Sequence, residues 1–196
     1  MVQHEARRLK VLWQYEVLDT VPEEVFDDLT ELAARICEAP IALISLVDED
    51  RQWFKSKVGI SAKETSRDVS FCSRAIEQTD LFIVADALKD KRFASNPLVT
   101  SGPKIRFYAG APLITPDGYA LGTLCIIDKK PRSLRADQKA ALKVLARHIV
   151  SQLELRHRTR ELAAVKKAGK TCEQRIRKLE AALARAKKAL AKLKAS

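Results

Sequence analysis

The N-terminal part of the chain carries two stripes of apolar residues with helical spacing. In the first stripe, apolar residues recur every fourth position, at Leu9, Trp13 and Val17. This spacing predicts an amphipathic helix over residues 4–18. Pro40 stops the second predicted helix, whose apolar stripe comprises Phe26, Leu29, Ala33, Ile36 and Cys37. Thr20 and Glu23 have the spacing of a capping box, which predicts the start of the second helix.

The middle of the chain has the patterns of β-strands. The β-rich run Ile41–Val47 and the alternating segment Gln52–Val58 predict one hairpin. The runs Ile105–Ile114 and Tyr119–Ile127 predict a second hairpin, because a Pro-Asp-Gly turn separates them. A long helix is predicted from Ser133, which can cap it. Its apolar stripe comprises Leu142, Leu145, Ile149 and Leu153. Adjacent hairpins indicate an antiparallel sheet with helices packed on it, so the predicted fold class is α+β.

The basic residues are concentrated at the C-terminus. Residues 151–196 hold 14 Lys and Arg against 4 Asp and Glu, which accounts for +10 of the total net charge of +11. Residues 1–150 are near neutral and contain all the aromatic residues. We therefore predict a globular domain over residues 1–156 and a basic helical extension over residues 157–196.

The extension has a heptad repeat. Taking Leu162 as position a, positions a and d are Leu162, Val165, Gly169, Cys172, Ile176, Leu179, Leu183, Ala186, Leu190 and Leu193. More than four repeats predict a coiled coil, with Gly169 as its weakest position. The alternative is a single amphipathic helix that folds back on its own domain.

The chain has no run of 18 apolar residues, so no transmembrane segment is expected. Its first residues lack the apolar region of a signal peptide, and we expect a cytoplasmic protein. The four cysteines form neither a CxxC pair nor an evident disulfide framework, which suits a reducing compartment.

Residues 5–156 closely resemble a GAF domain of the bacterial signalling type, as found upstream of histidine kinases and diguanylate cyclases. The matching segments follow each other in unbroken order: Tyr15–Glu24, Pro40–Asp48, Arg51–Ser56, Ser70–Ser73, Asp90–Val99, Arg106–Leu113, Leu121–Asp128 and Pro131–Leu134. The resemblance implies a central antiparallel sheet of about six strands between helical layers. It also implies a sensor of small molecules or a dimerising signal module. We expect no such output domain to follow the GAF-like residues in this chain.

In this family a pocket lies between one face of the sheet and the short helices and loops beside it. On this chain those loops are residues 61–78 and 86–104. The residues there and on the adjoining strands that could bind a ligand are Trp53, Phe71, Cys72, Asp86, Arg92, Phe93, Arg106 and Tyr108. Arg106 stands among apolar neighbours and should pair with Asp86 or Asp90, or reach a cleft. Alternatively, these charged residues only tie the loop of residues 86–104 to the sheet.

Several ligand classes of the family lack their usual residues here. Bilin attachment uses a Cys that is often followed by His, and none of the three histidines adjoins a Cys. The Asn-Lys-Phe-Asp-Glu signature of cyclic-nucleotide-binding GAF domains is absent. Haem or metal binding would need His or clustered Cys ligands in the core. We therefore expect an unknown small molecule, and no bilin, haem or metal.

One branch of the family reduces free methionine sulfoxide with pocket cysteines. Cys72 and Cys125 are the pair that could meet here, and a thiol enzyme using Cys72 is an alternative function. Its chemistry needs the two sulfurs within disulfide reach and one of them exposed. Otherwise Cys125 is a small buried apolar residue. The preferred prediction is a protein without enzymatic activity.

The family usually dimerises through its first and last helices. We accordingly predict a homodimer with an interface formed by Leu9, Trp13, Leu142, Leu145, Ile149, Leu153, Leu162, Ile176, Leu179 and Leu183. The coiled coil could also contact a signalling protein partner. The basic tail suggests a further alternative, a nucleic-acid-associated accessory protein, although the tail has no aromatic residue for base stacking.

Overall fold

The computed structural model describes the backbone of residues 2–194 and the side chains of residues 5–183 and 185. Five helices and six strands follow one another in these described residues: α1 (Val2–Gln14), α2 (Glu24–Ile36), β1 (Ile41–Val47), β2 (Arg51–Val58), β3 (Glu64–Ser66), α3 (Phe71–Ala75), β4 (Phe82–Val84), α4 (Pro97–Thr100), β5 (Phe107–Ile114), β6 (Ala120–Asp128) and α5 (Ala136–Lys194). The chain divides into two units between Glu154 and Leu155, two residues before the predicted boundary.

The strands form one sheet with the order β3-β2-β1-β6-β5-β4. Every pair of neighbours is antiparallel, which confirms the predicted α+β class and the sheet of six strands. The central strands β1 and β6 pair closely at Gly122, where a Cβ atom would lie 1.9 Å from the carbonyl oxygen of Ser45. Any side chain at Gly122 would therefore push these two strands apart.

A separate apolar core covers each face of the sheet. Residues alternate between the faces along β1, so that Ile44 enters one core and Leu43 the other. The first core contains residues of α1, α2 and the part of α5 up to Glu154. The second core contains residues of α3, β4 and α4.

The helix boundaries differ from the predicted ones. Helix α1 ends at Gln14, and Glu16 and Asp19 beyond it have positive φ angles of 46° and 57°. Helix α5 begins at Ala136, and its first turn is closed by the side chain of Gln138, which accepts from the backbone N–H of Arg135 at 3.1 Å. The predicted cap Ser133 therefore lies before the helix.

The predicted capping box is also wrong. Glu23 occupies the N-cap position of α2 without a side-chain cap. Thr20 and Glu23 instead accept hydrogen bonds from the ammonium group of Lys55, at 3.0 and 2.6 Å. The side chain of Lys55 is fully buried, and such a charge must be paired and hydrogen-bonded. Thr20 and Glu23 therefore hydrogen-bond to Lys55 and do not cap the helix.

Half of the predicted dimer interface is buried within the chain. Leu142, Leu145, Ile149 and Leu153 belong to the first core, and Leu9 is 7% exposed. The prediction that these five residues face a second subunit is therefore wrong, because the chain itself covers their apolar side chains. Trp13 is half exposed, and its indole N–H donates to Asp48 at 2.9 Å.

The second unit is the continuation of α5 from Leu155. Its described apolar residues on the heptad are exposed, including Leu162, Ile176, Leu179 and Leu183. The last three predicted heptad residues, Ala186, Leu190 and Leu193, have side chains outside the described residues.

Candidate functional site

Helix α3 places two of the predicted site residues on the sheet. Its N-cap Ser70 accepts a hydrogen bond from the backbone N–H of Ser73 at 3.1 Å, which fixes the first turn. The Ser70 hydroxyl also donates to the side-chain oxygen of Gln52 on β2. The helix start is thereby tied to the sheet, and Phe71 and Cys72 point into the second core.

The thiol of Cys72 lies in a buried cluster of four side chains. Its sulfur is 3.9 Å from the sulfur of Cys125, and it accepts hydrogen bonds from Tyr108 at 3.3 Å and Thr123 at 3.2 Å. Cys72 is 2% exposed and Cys125 is fully buried. Thr123 did not stand out in the sequence, because a Thr in an apolar strand is a common residue there.

The cluster separates the acidities of the two thiols. Burial by itself would raise the pKa of Cys72, but hydrogen bonds from Cys125, Thr123 and Tyr108 outweigh burial and lower the pKa below its ordinary value. The bond shared with Cys72, together with burial, raises the pKa of Cys125 well above the usual range. Cys72 is therefore the more acidic thiol. The redox alternative requires one of the two thiols to be exposed, but both are buried.

Aromatic rings fill the space next to Cys72. Phe71 and Phe93 are stacked with their centroids 4.0 Å apart, and Phe71 lies 5.2 Å from Tyr108. Phe82 meets Phe93 edge-on at 6.2 Å. The structure thus brings together four predicted site residues, Phe71, Cys72, Phe93 and Tyr108, as packed core.

The charged candidates lie at the rim of this core. The Arg92 guanidinium pairs with Asp90 at 2.6 Å and lies over the ring of Phe82, 4.8 Å from its centroid. Its hydrogen bonds lower the pKa of Asp90. Asp86 pairs with Lys89 at 3.6 Å.

Arg106 does not form the predicted pair with Asp86 or Asp90. It donates instead to the backbone carbonyls of Val99 and Ile105, at 2.9 and 3.0 Å. Val99 belongs to α4, so Arg106 ties the loop of residues 86–104 to β5. This is the structural alternative considered for these residues.

Trp53 does not join the other candidates, because it lies in the first core on the opposite face of the sheet. It lines a cavity of about 520 Å³ together with Asp19, Pro22, Lys55 and Lys63. Lys55 did not stand out in the sequence, where it directly follows Trp53 and Phe54 in the mixed segment that forms β2. Its bonds to Thr20, Val21 and Glu23 fasten the connection between α1 and α2 to β2.

A second cavity of about 380 Å³ lies between the end of β5 and α5. It is lined by Pro112 and Ile114 on the strand and by Lys143 and Val150 on the helix. Lys143 pairs with Asp80 at 2.6 Å, so its charge is already balanced. None of the predicted site residues reaches this cavity.

Among the described residues, no three His, Cys, Asp or Glu residues are grouped so that they could hold a metal ion. In the same part of the chain, no helix combines the length and apolar character needed to cross a membrane.

The sequence profile of the GAF domain matches residues 21–153. This segment contains the whole sheet, the second core and most of the first core. The chain belongs to the GAF family.

Known GAF proteins agree with this assignment. A cyclic di-GMP phosphodiesterase of Pseudomonas aeruginosa is 45% identical over 129 residues, which are 66% of this chain and 22% of that protein. The GAF domain of an Acinetobacter phosphoenolpyruvate-protein phosphotransferase superposes with a TM-score of 0.58 at 16% identity, covering 80% of this chain and 96% of that one. The PixJ GAF domain of Thermosynechococcus elongatus gives 0.57 at 15% identity, covering 72% and 90%. At these identities the two structures show a shared GAF fold only.

Proposed function

We propose that this GAF chain is a non-enzymatic signalling scaffold that dimerises and passes its signal to a partner protein through the second unit of α5. The exposed apolar stripe of that unit carries the proposal. Leu162, Ile176, Leu179 and Leu183 are each between 49% and 63% exposed. Fully burying one such side chain stabilises an assembly by about 1.5–3 kcal/mol.

The packing of the predicted pocket favours a scaffold over a small-molecule sensor. Phe71, Phe93 and Tyr108 are 0–3% exposed and contact one another or a common neighbour, so a ligand would have to displace their rings. Native mass spectrometry of the purified protein tests this point. We expect the mass of the protein alone, and a stoichiometric bound molecule would support the sensor instead.

The Pseudomonas relative suggests the process in which the partner acts. That protein is named a cyclic di-GMP phosphodiesterase, and this chain matches about a fifth of its length. We propose that the partner belongs to cyclic-dinucleotide turnover. The matched segment is a GAF domain, so we expect no hydrolysis when the chain alone is incubated with cyclic di-GMP. Product nucleotide on chromatography would contradict the non-enzymatic assignment.

Sedimentation velocity at micromolar concentration tests dimerisation. We expect a dimer for the native chain and a monomer for the variant Leu179→Glu/Leu183→Glu, because two carboxylates would enter the apolar stripe. The matched control is Ala181→Glu/Gln174→Glu, which adds the same two charges at heptad positions f, opposite the stripe. A monomeric native chain, or a control that dissociates equally, would refute the proposal.

The thiol enzyme is a second candidate. The separation of 3.9 Å between the sulfurs of Cys72 and Cys125 favours it. Their burial opposes it, because a nucleophilic thiol must meet its substrate. We expect no reduction of free methionine-R-sulfoxide, and an activity that is lost in Cys72→Ser would establish this alternative.

Nucleic-acid binding through the basic tail stays a separate prediction. It is less favoured because the tail lacks aromatic residues for base stacking. Binding that weakens steeply with salt and disappears on truncation at Leu162 would support it.

A further inference from the structure

We propose that the second unit pairs with the same segment of a second copy in a parallel and in-register coiled coil, which places the two Cys172 thiols opposite each other. This inference rests on the dimer proposed above and adds its orientation and register. Three features of the described residues support it: the position of the exposed apolar side chains, the charges beside them, and the position of Cys172.

The exposed apolar residues of the second unit define a single seam. Positions a and d of the heptad hold Leu155, Leu162, Val165, Ile176, Leu179 and Leu183, and each of these is 49% to 68% exposed. Residues at this spacing lie along one side of a helix. The seam is thus available along more than three heptads, and a second copy carries the identical seam.

The charges beside the seam favour the parallel orientation. In a parallel, in-register pair, each g residue faces the e residue five positions later in the partner chain. Glu161 at g would then face Lys166 at e, and Arg175 at g would face Glu180 at e. Both contacts join opposite charges, and each occurs twice in a symmetric dimer.

An antiparallel pair would lose these contacts. In that orientation g residues face g residues and e residues face e residues, so Glu161 and Lys166 cannot meet across the seam. Charge complementarity between Glu161 and Lys166 and between Arg175 and Glu180 therefore distinguishes the two orientations. A second copy in the parallel orientation is the occupant that these residues fit.

Cys172 occupies a d position within this seam and is exposed, whereas the other three cysteines are buried. In the parallel, in-register dimer, each d residue faces its own counterpart. The two Cys172 thiols would share one layer, within the range that a disulfide can bridge. In an antiparallel dimer, Cys172 would face an a position instead.

Oxidised glutathione is a suitable probe of this geometry. One Cys172 thiolate attacks the glutathione disulfide and releases one glutathione thiolate. The second Cys172 thiolate then attacks the mixed disulfide and releases the other glutathione. Two protein thiols are oxidised to one disulfide, and one glutathione disulfide is reduced to two thiols.

The experiment combines non-reducing electrophoresis with light scattering on the same samples. We expect the native chain to form a covalent dimer in oxidised glutathione and Cys172→Ser to form none. The variant Cys172→Ser/Leu179→Cys moves the thiol to the next d position and should cross-link. The control Cys172→Ser/Gln174→Cys places it at an outward f position and should not.

Charge exchange provides an independent measurement. Glu161→Lys should weaken the dimer on the order of tenfold, because two attractive contacts become repulsive. Adding Lys166→Glu should restore most of the affinity, since the two residues meet only in the parallel orientation. A native dimer by light scattering that neither cross-links at Cys172 nor shows this rescue would overturn the inference and leave the dimer standing. A monomer would overturn both.

Discussion

Replacing Phe93 by Ala tests whether the candidate site is packed core or the wall of a ligand pocket. Phe93 is 3% exposed and stacks on Phe71 with 4.0 Å between the ring centroids. Its ring also meets the edge of Phe82 at 6.2 Å and lies under the guanidinium of Arg92. The substitution Phe93→Ala removes all three contacts at once.

The expected loss of stability follows from these contacts. Truncating a fully buried Phe to Ala costs about 3–5 kcal/mol in free energy of unfolding, and a well-stacked aromatic pair supplies about 0.5–1.5 kcal/mol of that. For a domain of this size, each kcal/mol lowers the melting temperature by about 2–4 °C. We therefore expect Phe93→Ala to melt roughly 6–20 °C below the native chain.

Urea denaturation followed by the fluorescence of Trp13 and Trp53 measures the free energy directly. Leu88→Ala is the matched control, because Leu88 is in the same loop but 49% exposed. An exposed residue of this kind should change stability by less than about 0.5 kcal/mol. A loss below about 1 kcal/mol for Phe93→Ala would refute the reasoning, since the ring would then not be filling the core. An equal loss in both variants would refute it too.

Two further predictions concern buried thiols and pH. In folded Cys172→Ala, no thiol should react within minutes with an aromatic disulfide reagent, because the remaining three cysteines are buried. All three should react after unfolding. One fast-reacting thiol in the folded variant would support the thiol enzyme instead. The pKa of Glu5 is lowered from 4.5 to about 2, because hydrogen bonds from Arg8 and, to a smaller extent, from Arg67 outweigh the opposite effect of burial. The resulting stabilisation is present above pH 4.5 and is lost as the pH falls towards 2. Because the Glu5 side chain is 35% exposed, solvent screening reduces this stabilisation to about 1–2 kcal/mol. Urea titrations should therefore show a gap of this size between the native chain and Glu5→Gln at pH 7 that narrows as the pH falls from 4.5 to about 2. A gap independent of pH would contradict the assignment.

The sequence sufficed to predict the hairpins β1–β2 and β5–β6 and the overall class, whereas the short strand β3 was not predicted. The alternation of apolar and polar residues and the turn at Pro116-Asp117-Gly118 depend on local geometry, so they predicted the two hairpins and the antiparallel sheet. The heptad repeat is also a local pattern and predicted the continuous helix through Leu183. The predictions of the helix ends were less accurate, because hydrogen bonds to residues distant in the sequence influence where the helices begin and end. Thr20 and Glu23 bind Lys55 rather than capping α2.

The candidate site required the tertiary structure. Phe71, Phe93 and Tyr108 come from a helix, a loop and a strand, and only the packing shows that Phe71 contacts the other two rings. Sequence spacing likewise could not tell whether Arg106 reaches an acid, because its carbonyl partner Val99 comes within reach only when α4 folds against β5.

The two parts of α5 show most clearly what the sequence determined and what the tertiary structure decided. The sequence by itself determined that apolar residues follow helical spacing both in Leu142–Leu153 and in the later heptads. An apolar stripe must be covered, but the spacing does not say by what. The tertiary structure decided that the first stripe is covered by the chain's own sheet, whereas the described heptad residues from Leu155 onward remain exposed. Burial depends on which surfaces meet in three dimensions, and this information is not contained in the period of a single helix.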